Sequence, residues 1–397
     1  MQIGDCRSDP IGLICVVLLS IIGIFFIYSA QSYADGSNWK TQILWMVIGV
    51  LLYGLISMVD YKFFLKNAHI LYAIGIMLLL LLWTPLGKRC FGSLRWLNFG
   101  KISIQPSDTA KICTLIFGAG ILARSEIGSI KESLTLLMKI GFAFFIPIIL
   151  IFLQPDLGSA LVFPPMIFSL LFAANLDKRF FISVFLVFLL LLGIVAWDAI
   201  NYHNFLKNNE LAALESQGMY EKVSWVPLKD YQRNRILAFV APEVIDPRGV
   251  SVSWNLRQSL ISVGSGGFLG KGHNNGTQAK LGYLPQSVAP NDFIFSVIAE
   301  EKGFLGGSIV LLLYLVLLIN NIRIASISRD RFGMLLCVGI SMVTLVHIFV
   351  NVGMTIGLMP ITGIPLPFIS YGGSFMLICF TMQGIIQSVY RFRHAYE

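Results

Sequence analysis

The sequence predicts an all-α, polytopic membrane protein of ten transmembrane helices, with a long extracytoplasmic loop between helices seven and eight. Three observations carry this expectation. The 397 residues are 56% hydrophobic and only 13% charged, about half the charge of an average soluble chain. The apolar residues fall into ten runs, each near the ~20 residues that cross a ~30 Å hydrocarbon core. Lys and Arg are shared unevenly among the segments between the runs, as membrane orientation requires. A soluble fold could not bury so much apolar surface, which argues against a DNA-binding protein, a secreted disulfide scaffold or a cytosolic enzyme.

The runs lie at about 11–29, 42–59, 68–85, 105–123, 135–153, 157–174, 180–199, 293–320, 333–356 and 366–389. The first is a poor signal peptide, because Arg7 sits between Asp5 and Asp9 and the run is long enough to span. Pro147 in the fifth and Pro164-Pro165 in the sixth are tolerable where neighbouring helices re-satisfy freed backbone groups. An even number of spans puts both termini on one side. With that side cytoplasmic, the inner segments carry Arg7, Lys62, Lys66, Arg124, Lys131, Lys178, Arg179, Arg323, Arg329, Arg331, Arg391 and Arg393. The short outer loops carry only Lys40, Lys88, Arg89, Arg95 and Lys101. The bias places both ends inside. The four outer positives at 88–101 run against it and ask for another explanation.

The net charge of +8 therefore reflects topology rather than a nucleic-acid partner. None of the six cysteines pairs with another at metal-ligand spacing and four lie in apolar runs, so neither a disulfide framework nor zinc is expected. Residues 1–397 read as a single integral membrane domain. Its one stretch unlike a membrane is 200–292, and a loop of that length is usually functional or disordered.

Asp292 stands at the mouth of the eighth run. Residue type alone favours a helix N-cap. The other reading is a carboxylate at the water–bilayer boundary, its pKa raised by apolar neighbours, accepting a proton from a hydroxyl. The fourth run opens QPSDTAK, with Asp108 and Lys111 three apart on one helical face. They form either a local ion pair or part of a polar cavity. Glu300, Glu301 and Lys302 suit a proton relay or, the preferred reading, structural pairing. Gly264, Gly266, Gly267, Gly270, Gly272 and Gly276 surround Lys271. The nucleotide P-loop fails there, since Ser265 stands where Gly is required and Gly272 follows the Lys. A loop that approaches an anion and a tightly packed turn both remain, the turn being preferred. Gln154-Pro155-Asp156 reads as a turn or cap. Arg233 and Arg235 offer two outer guanidiniums suited to pyrophosphate.

Assembled, the strings QPSDTAK, QPDLGSALV, YQRNRILAFVAPEVIDPRG, QSLISVGSGGFLGKGHNNGTQAKLGYLP, NDFIFSVIAEEKG and GMTIGLMPITGIPLPFISYGGS resemble the SEDS family (shape, elongation, division and sporulation). They occur in the family's order over more than half the chain. GKG followed by GTQ, and MPITGIPLPF before SYGGS, look more like its elongation branch than its division branch. The resemblance implies a bacterial enzyme of ten transmembrane helices that polymerises lipid II, an undecaprenyl-pyrophosphate-linked precursor, into glycan strands outside the cytoplasmic membrane. It implies a class B penicillin-binding protein as transpeptidase partner, within the elongation machinery. The family's essential aspartate falls on Asp292, and its span-four acid and lysine on Asp108 and Lys111. Gln258 and Ser259, heading the QSLISVGSGG string, are counted with the substrate-binding residues. Two departures stand out. Asp108 replaces the usual glutamate, and LPE-x-HTDFIF becomes LPQSVAPNDFIF, with Gln286 for the glutamate, two extra residues and no histidine.

Such polymerisation needs a base near a sugar 4-hydroxyl, positive charge on the leaving pyrophosphate, and a groove for the prenyl chain. Asp292 is the expected base, and Lys111, Arg95, Lys271, Arg233 and Arg235 the candidate cations. A divalent cation (Mg or Mn) is compatible with the leaving group, though no string resembles a dedicated metal site. Two alternatives stay open: a precursor flippase with Asp108, Lys111 and Glu300 along a polar path, and a non-catalytic scaffold for a transpeptidase.

Overall fold

The computed structural model describes residues 8–33, 36–90, 93–100, 102–126, 133–209, 218–241, 253–285 and 288–394. In chain order the helices are α1 (Pro10–Gln31), α2 (Asn38–Met58), α3 (Lys62–Lys66), α4 (Ala68–Leu81), α5 (Pro106–Ala123), α6 (Leu134–Leu153), α7 (Leu157–Leu161), α8 (Phe163–Ala173) and α9 (Lys178–Asn208). They continue with α10 (Asp230–Val240), α11 (Trp254–Ser265), α12 (Thr277–Lys280), α13 (Ile294–Ser326), α14 (Arg331–Thr355) and α15 (Gly373–Arg391). Among the described residues, seven are long and apolar enough to cross a membrane: α1, α2, α6, α9, α13, α14 and α15. The chain is a multi-pass membrane protein. The apolar α4 and the α7–α8 pair are shorter, and α5 carries Ser107, Asp108 and Lys111 in its first two turns.

The expectation of an all-α chain needs correcting. Strands β1 (Gly87–Cys90), β2 (Ser93–Phe99) and β3 (Ile102–Ile104) form an antiparallel sheet in the order β1-β2-β3. This sheet accounts for part of the outer cluster of positives. Arg95 lies on the same face of β2 as the fully buried Leu97, so the pleat turns its guanidinium inward. Lys101 is outside the described residues, as are Arg7 and Lys131.

Three of the ten runs also differ in outline. The sixth splits at Val162, and Pro164 falls in the first turn of α8, where a missing N–H costs nothing. The eighth is broken at Gly303 (φ 64°, ψ −162°). The tenth begins only at Gly373, because Pro360, Pro365 and Pro367 hold 360–372 out of helical geometry.

Helix α14 occupies the centre, packed against α5, α8, α11, α13 and α15. Helices α4 and α6 cover α5, α2 lies along α15, and α1 lies along α13. Helix α9 is the exception, with none of its most apolar stretch buried. Its C-terminal end carries a second, smaller core of Ala199, Tyr202, Leu206, Tyr220 and Leu237, shared with α10. Arg233 anchors this layer and has no exposed surface. Its Nε donates to Asp198 Oδ2 (2.8 Å), its Nη1 to Asp230 Oδ1 (3.1 Å) and to the Leu228 carbonyl, and its Nη2 to the Val226 carbonyl (3.0 Å).

Removing one partner of such a buried network strands the others, at a cost of about 3–5 kcal/mol. Arg233→Ala is therefore expected to open residues 218–241 to limited proteolysis in purified protein. Unchanged protection of that segment would show that the ion pairs do not hold it.

Candidate functional site

Strand β2 and the ends of α5, α7, α13 and α14 meet around a ring of polar residues. Arg95 on β2 lies 3.7 Å from Asp156 Oδ1 and donates to the Pro155 carbonyl. Asp156 caps α7 by accepting from the Ser159 amide (3.3 Å), so the turn-and-cap reading describes it well. Its Oδ2 also accepts from Gln105 Nε2 (3.1 Å) and Ser107 Oγ (3.3 Å) at the start of α5. One turn into α5, Lys111 Nζ donates to Asp108 Oδ1 at 2.8 Å, and both side chains are buried. Lys111 Nζ also sits 3.5 Å from His347 Nε2 on α14. His347 Nδ1 is 3.2 Å from the Pro365 carbonyl. Four residues on, Asn351 Nδ2 donates to the carbonyls of Ile364 (2.8 Å) and Asp292 (2.9 Å). The positive charge of Arg95 acts on Asp292 and completes the ring without a direct contact.

Asp292 is not a helix cap. The N-cap of α13 is Phe293, with no side-chain cap bond. The half-buried Asp292 carboxylate makes no hydrogen bond or ion pair among the described residues. Beside it runs the irregular 360–372 segment. Gly363 holds a left-handed φ of +73°, and a Cβ there would come within 3.5 Å of Asp292 Oδ2. Glycine thus permits the turn and keeps the carboxylate's flank open. Burial pushes the Asp292 carboxyl up to about 6, and the positive charge of Arg95 opposes the rise. At neutral pH the group is ionised, yet basic enough to take a proton.

Four further buried polar atoms around the ring have no hydrogen-bond partner among the described residues: Asp108 Oδ2, Arg95 Nε, Asn351 Oδ1 and Thr362 Oγ1. A buried polar atom left in this way calls for a partner such as water or a polar ligand. No group of three or more His, Cys, Asp or Glu side chains among the described residues is arranged to hold a metal ion.

The remaining predicted residues lie elsewhere. Lys271 does not present a free cation, since its Nζ donates to Glu300 Oε1 and Thr277 Oγ1, both at 2.7 Å. Glu300 also accepts from the backbone amides of Thr277 (2.8 Å) and Gln278 (3.2 Å). Glu301 takes a hydrogen bond from Ser29 Oγ and lies 3.2 Å from His273 Nδ1. The glycine-rich loop is therefore a packed turn wrapped on the break in α13, and a Cβ at Gly266 or Gly270 would collide with the backbone of Ala299 or Glu301. Ser259 is buried between α11, α13 and α14, bonded to Ser296 Oγ (2.6 Å) and the Thr355 carbonyl (2.7 Å). Gln258 is buried next to it. Arg233 belongs to the outer layer already described. The side chain of Arg235 and the whole of Gln286 are outside the described residues.

Sequence reasoning missed His347 and Asn351. Both sit in an apolar run, and their spacing of four was the one available signal. For Asp292, a carboxyl titration near 6 is the expected outcome of infrared or carbon-13 NMR measurements across pH. Arg95→Gln removes the opposing charge and is expected to move that titration to higher pH. An unmoved titration would show that the guanidinium does not act on the carboxylate.

Comparison with known proteins identifies the family. The cell cycle protein family model covering FtsW, RodA and SpoVE matches residues 11–395. The chain is 33% identical to peptidoglycan glycosyltransferase RodA of Treponema pallidum, over 97% of this chain and 98% of the relative. It is 31% identical to peptidoglycan glycosyltransferase MrdB of Escherichia coli K12 (97% and 94%), and 32% identical to stage V sporulation protein E of Bacillus subtilis (99% and 99%). Its fold matches a chain from a peptidoglycan synthase complex described as coordinating polymerization and crosslinking, with a TM-score of 0.76, 24% identity and 98% and 99% coverage. It also matches RodA of Thermus thermophilus, with a TM-score of 0.66, 24% identity and 98% coverage of both chains. With nearly its whole length inside the match, the chain belongs to the SEDS family of FtsW, RodA and SpoVE.

Proposed function

We propose that this protein is a peptidoglycan glycosyltransferase that polymerises lipid II into β-1,4 glycan strands during cell-wall elongation. The observation that carries the proposal is the Asp292 carboxylate: ionised at neutral pH, uncapped, without an ion pair among the described residues, and within electrostatic reach of Arg95. In the reaction the acceptor's 4-hydroxyl attacks the anomeric carbon of the donor sugar. A C1–O4 bond forms as the C1–O bond to the diphosphate breaks, and the hydroxyl proton passes to Asp292. One in-line displacement converts the α-linked donor into a β-linked product. Arg95 and Lys111 face the departing diphosphate, where charge grows in the transition state. Asp108 holds the Lys111 ammonium in place. A divalent cation (Mg or Mn) would have to arrive with the diphosphate, and no step depends on it.

The seven long apolar helices together with α4, α5 and the α7–α8 pair make ten spans. Both termini are then cytoplasmic, and Asp292 lies at the outer face of the inner membrane, where lipid-linked precursor is polymerised. The synthase complex matched above supports a class B penicillin-binding protein as transpeptidase partner. The flippase alternative loses one of its three residues, because Glu300 is held by Lys271, Thr277 and Gln278 in the glycine loop.

The test is polymerisation of lipid II in detergent by the purified chain with its transpeptidase partner. Asp292→Asn is expected to lower the rate about 10²–10⁴-fold, the usual contribution of a general base. Wild-type activity is expected to rise with pH through about 6 and level off at neutrality, because the base works only when deprotonated. Equal polymer from Asp292→Asn and wild type would remove Asp292 from the mechanism.

A further inference from the structure

Helix α14 presents two neutral polar side chains one turn apart on one face, His347 and Asn351. They are 2% and 0% exposed. Each reaches the irregular 360–372 segment, and they take adjacent carbonyls of it: His347 Nδ1 at Pro365, Asn351 Nδ2 at Ile364. Each also makes a second contact, and these two end on different sides of the site. His347 Nε2 meets the Lys111 ammonium, and the second amide hydrogen of Asn351 meets the Asp292 carbonyl.

With Lys111 as an ammonium, which has donors only, Nε2 of His347 accepts, so the ring proton sits on Nδ1 and is donated to the Pro365 carbonyl. The Asn351 NH₂ has two hydrogens, and both are engaged. Neither side chain can turn without losing two contacts at once. Gly363, next to the clamped carbonyls, brings the same segment alongside Asp292, where a Cβ would come within 3.5 Å of Oδ2.

We propose that His347 and Asn351 are positioning residues that set the separation between Lys111 and Asp292, using the Ile364–Pro365 carbonyls as a shared anchor. The inference deepens the glycosyltransferase reading and rests on it. In-line displacement requires the base on the acceptor side of the anomeric carbon and the cation on the leaving-group side. A reacting pair misplaced by about 1 Å loses about 10²-fold in rate. A rigid helix bridging both groups through one anchor is a device for keeping that distance. A purely packing role for these side chains would change stability and leave the chemical step alone.

The full chain with its transpeptidase partner and lipid II serves as the assay. Asn351→Ser and His347→Ser stay polar and small, but neither serine reaches both partners. Each is expected to lower kcat about 10–100-fold with KM within about twofold, at a temperature well below its own unfolding transition. Asn351→Ser is also expected to shift the acidic limb of the pH profile, since the main chain carrying Asp292 is released. His347→Gln supplies one acceptor and one donor and is expected to recover most of the lost kcat. The pair Asp292→Asn/Asn351→Ser is expected to be no slower than Asp292→Asn alone. Wild-type kcat and pH profile in both serine variants, with Asp292→Asn inactive, would overturn the positioning role alone. An active Asp292→Asn would overturn the underlying reading instead.

Discussion

Most buried acids in this bundle persist because something opposite meets them. Asp9 has Arg323 and Asn320, Asp108 has Lys111, Asp156 has Arg95, Asp198 and Asp230 share Arg233, and Glu300 has Lys271. The desolvation cost of an unpaired ion in such surroundings is several kcal/mol, so the pairing is obligatory. Asp292 departs from the rule. It feels Arg95 from a distance and bonds to nothing among the described residues, and its raised pKa is the electrostatic sign of that isolation. Glu301 has no Lys or Arg partner either, but Ser29 and His273 hold it, whereas Asp292 has no hydrogen bond among the described residues.

The same rule separates what could be read in the sequence from what could not. The apolar runs were legible because span length is set by bilayer thickness, and Asp108–Lys111 because an i,i+3 pair on a helix is local. Asp292 was ambiguous, since a cap and a base use the same residue at the same place, and only the bond it does not make decides. Arg233 and Lys271 read as free cations because partners remote in sequence enclose them, although Arg233 also has a local one in Asp230, three residues back on α10. Asp198 is 35 residues from Arg233, and Glu300 is 29 from Lys271. No local pattern announces that a guanidinium is fully enclosed.

Neutral polar residues were the least visible. His347 and Asn351 look like tolerated polar positions in an apolar run, and their meaning lies in loop carbonyls that the prolines of 360–372 push into reach. The small sheet went unread for a related reason. Its strands are three to seven residues long, too short for periodicity to register, yet the pleat of β2 is what turns Arg95 toward Asp156.

The interruption at Gly303 has a mechanical meaning. Across it the chain is stitched by four main-chain bonds: Lys271 and Gly272 amides to the carbonyls of Glu300 and Glu301, and Phe304 and Leu305 amides to those of Gly267 and Phe268. A bare gap of this kind would act as a swivel, but one sutured on both sides acts as a splice. Lateral force that the bilayer exerts on the long lower rod therefore passes into the glycine turn and, through Ser29 and Asn274, into α1. The short stub that begins just after Asp292 is thereby tied to the rest of the bundle.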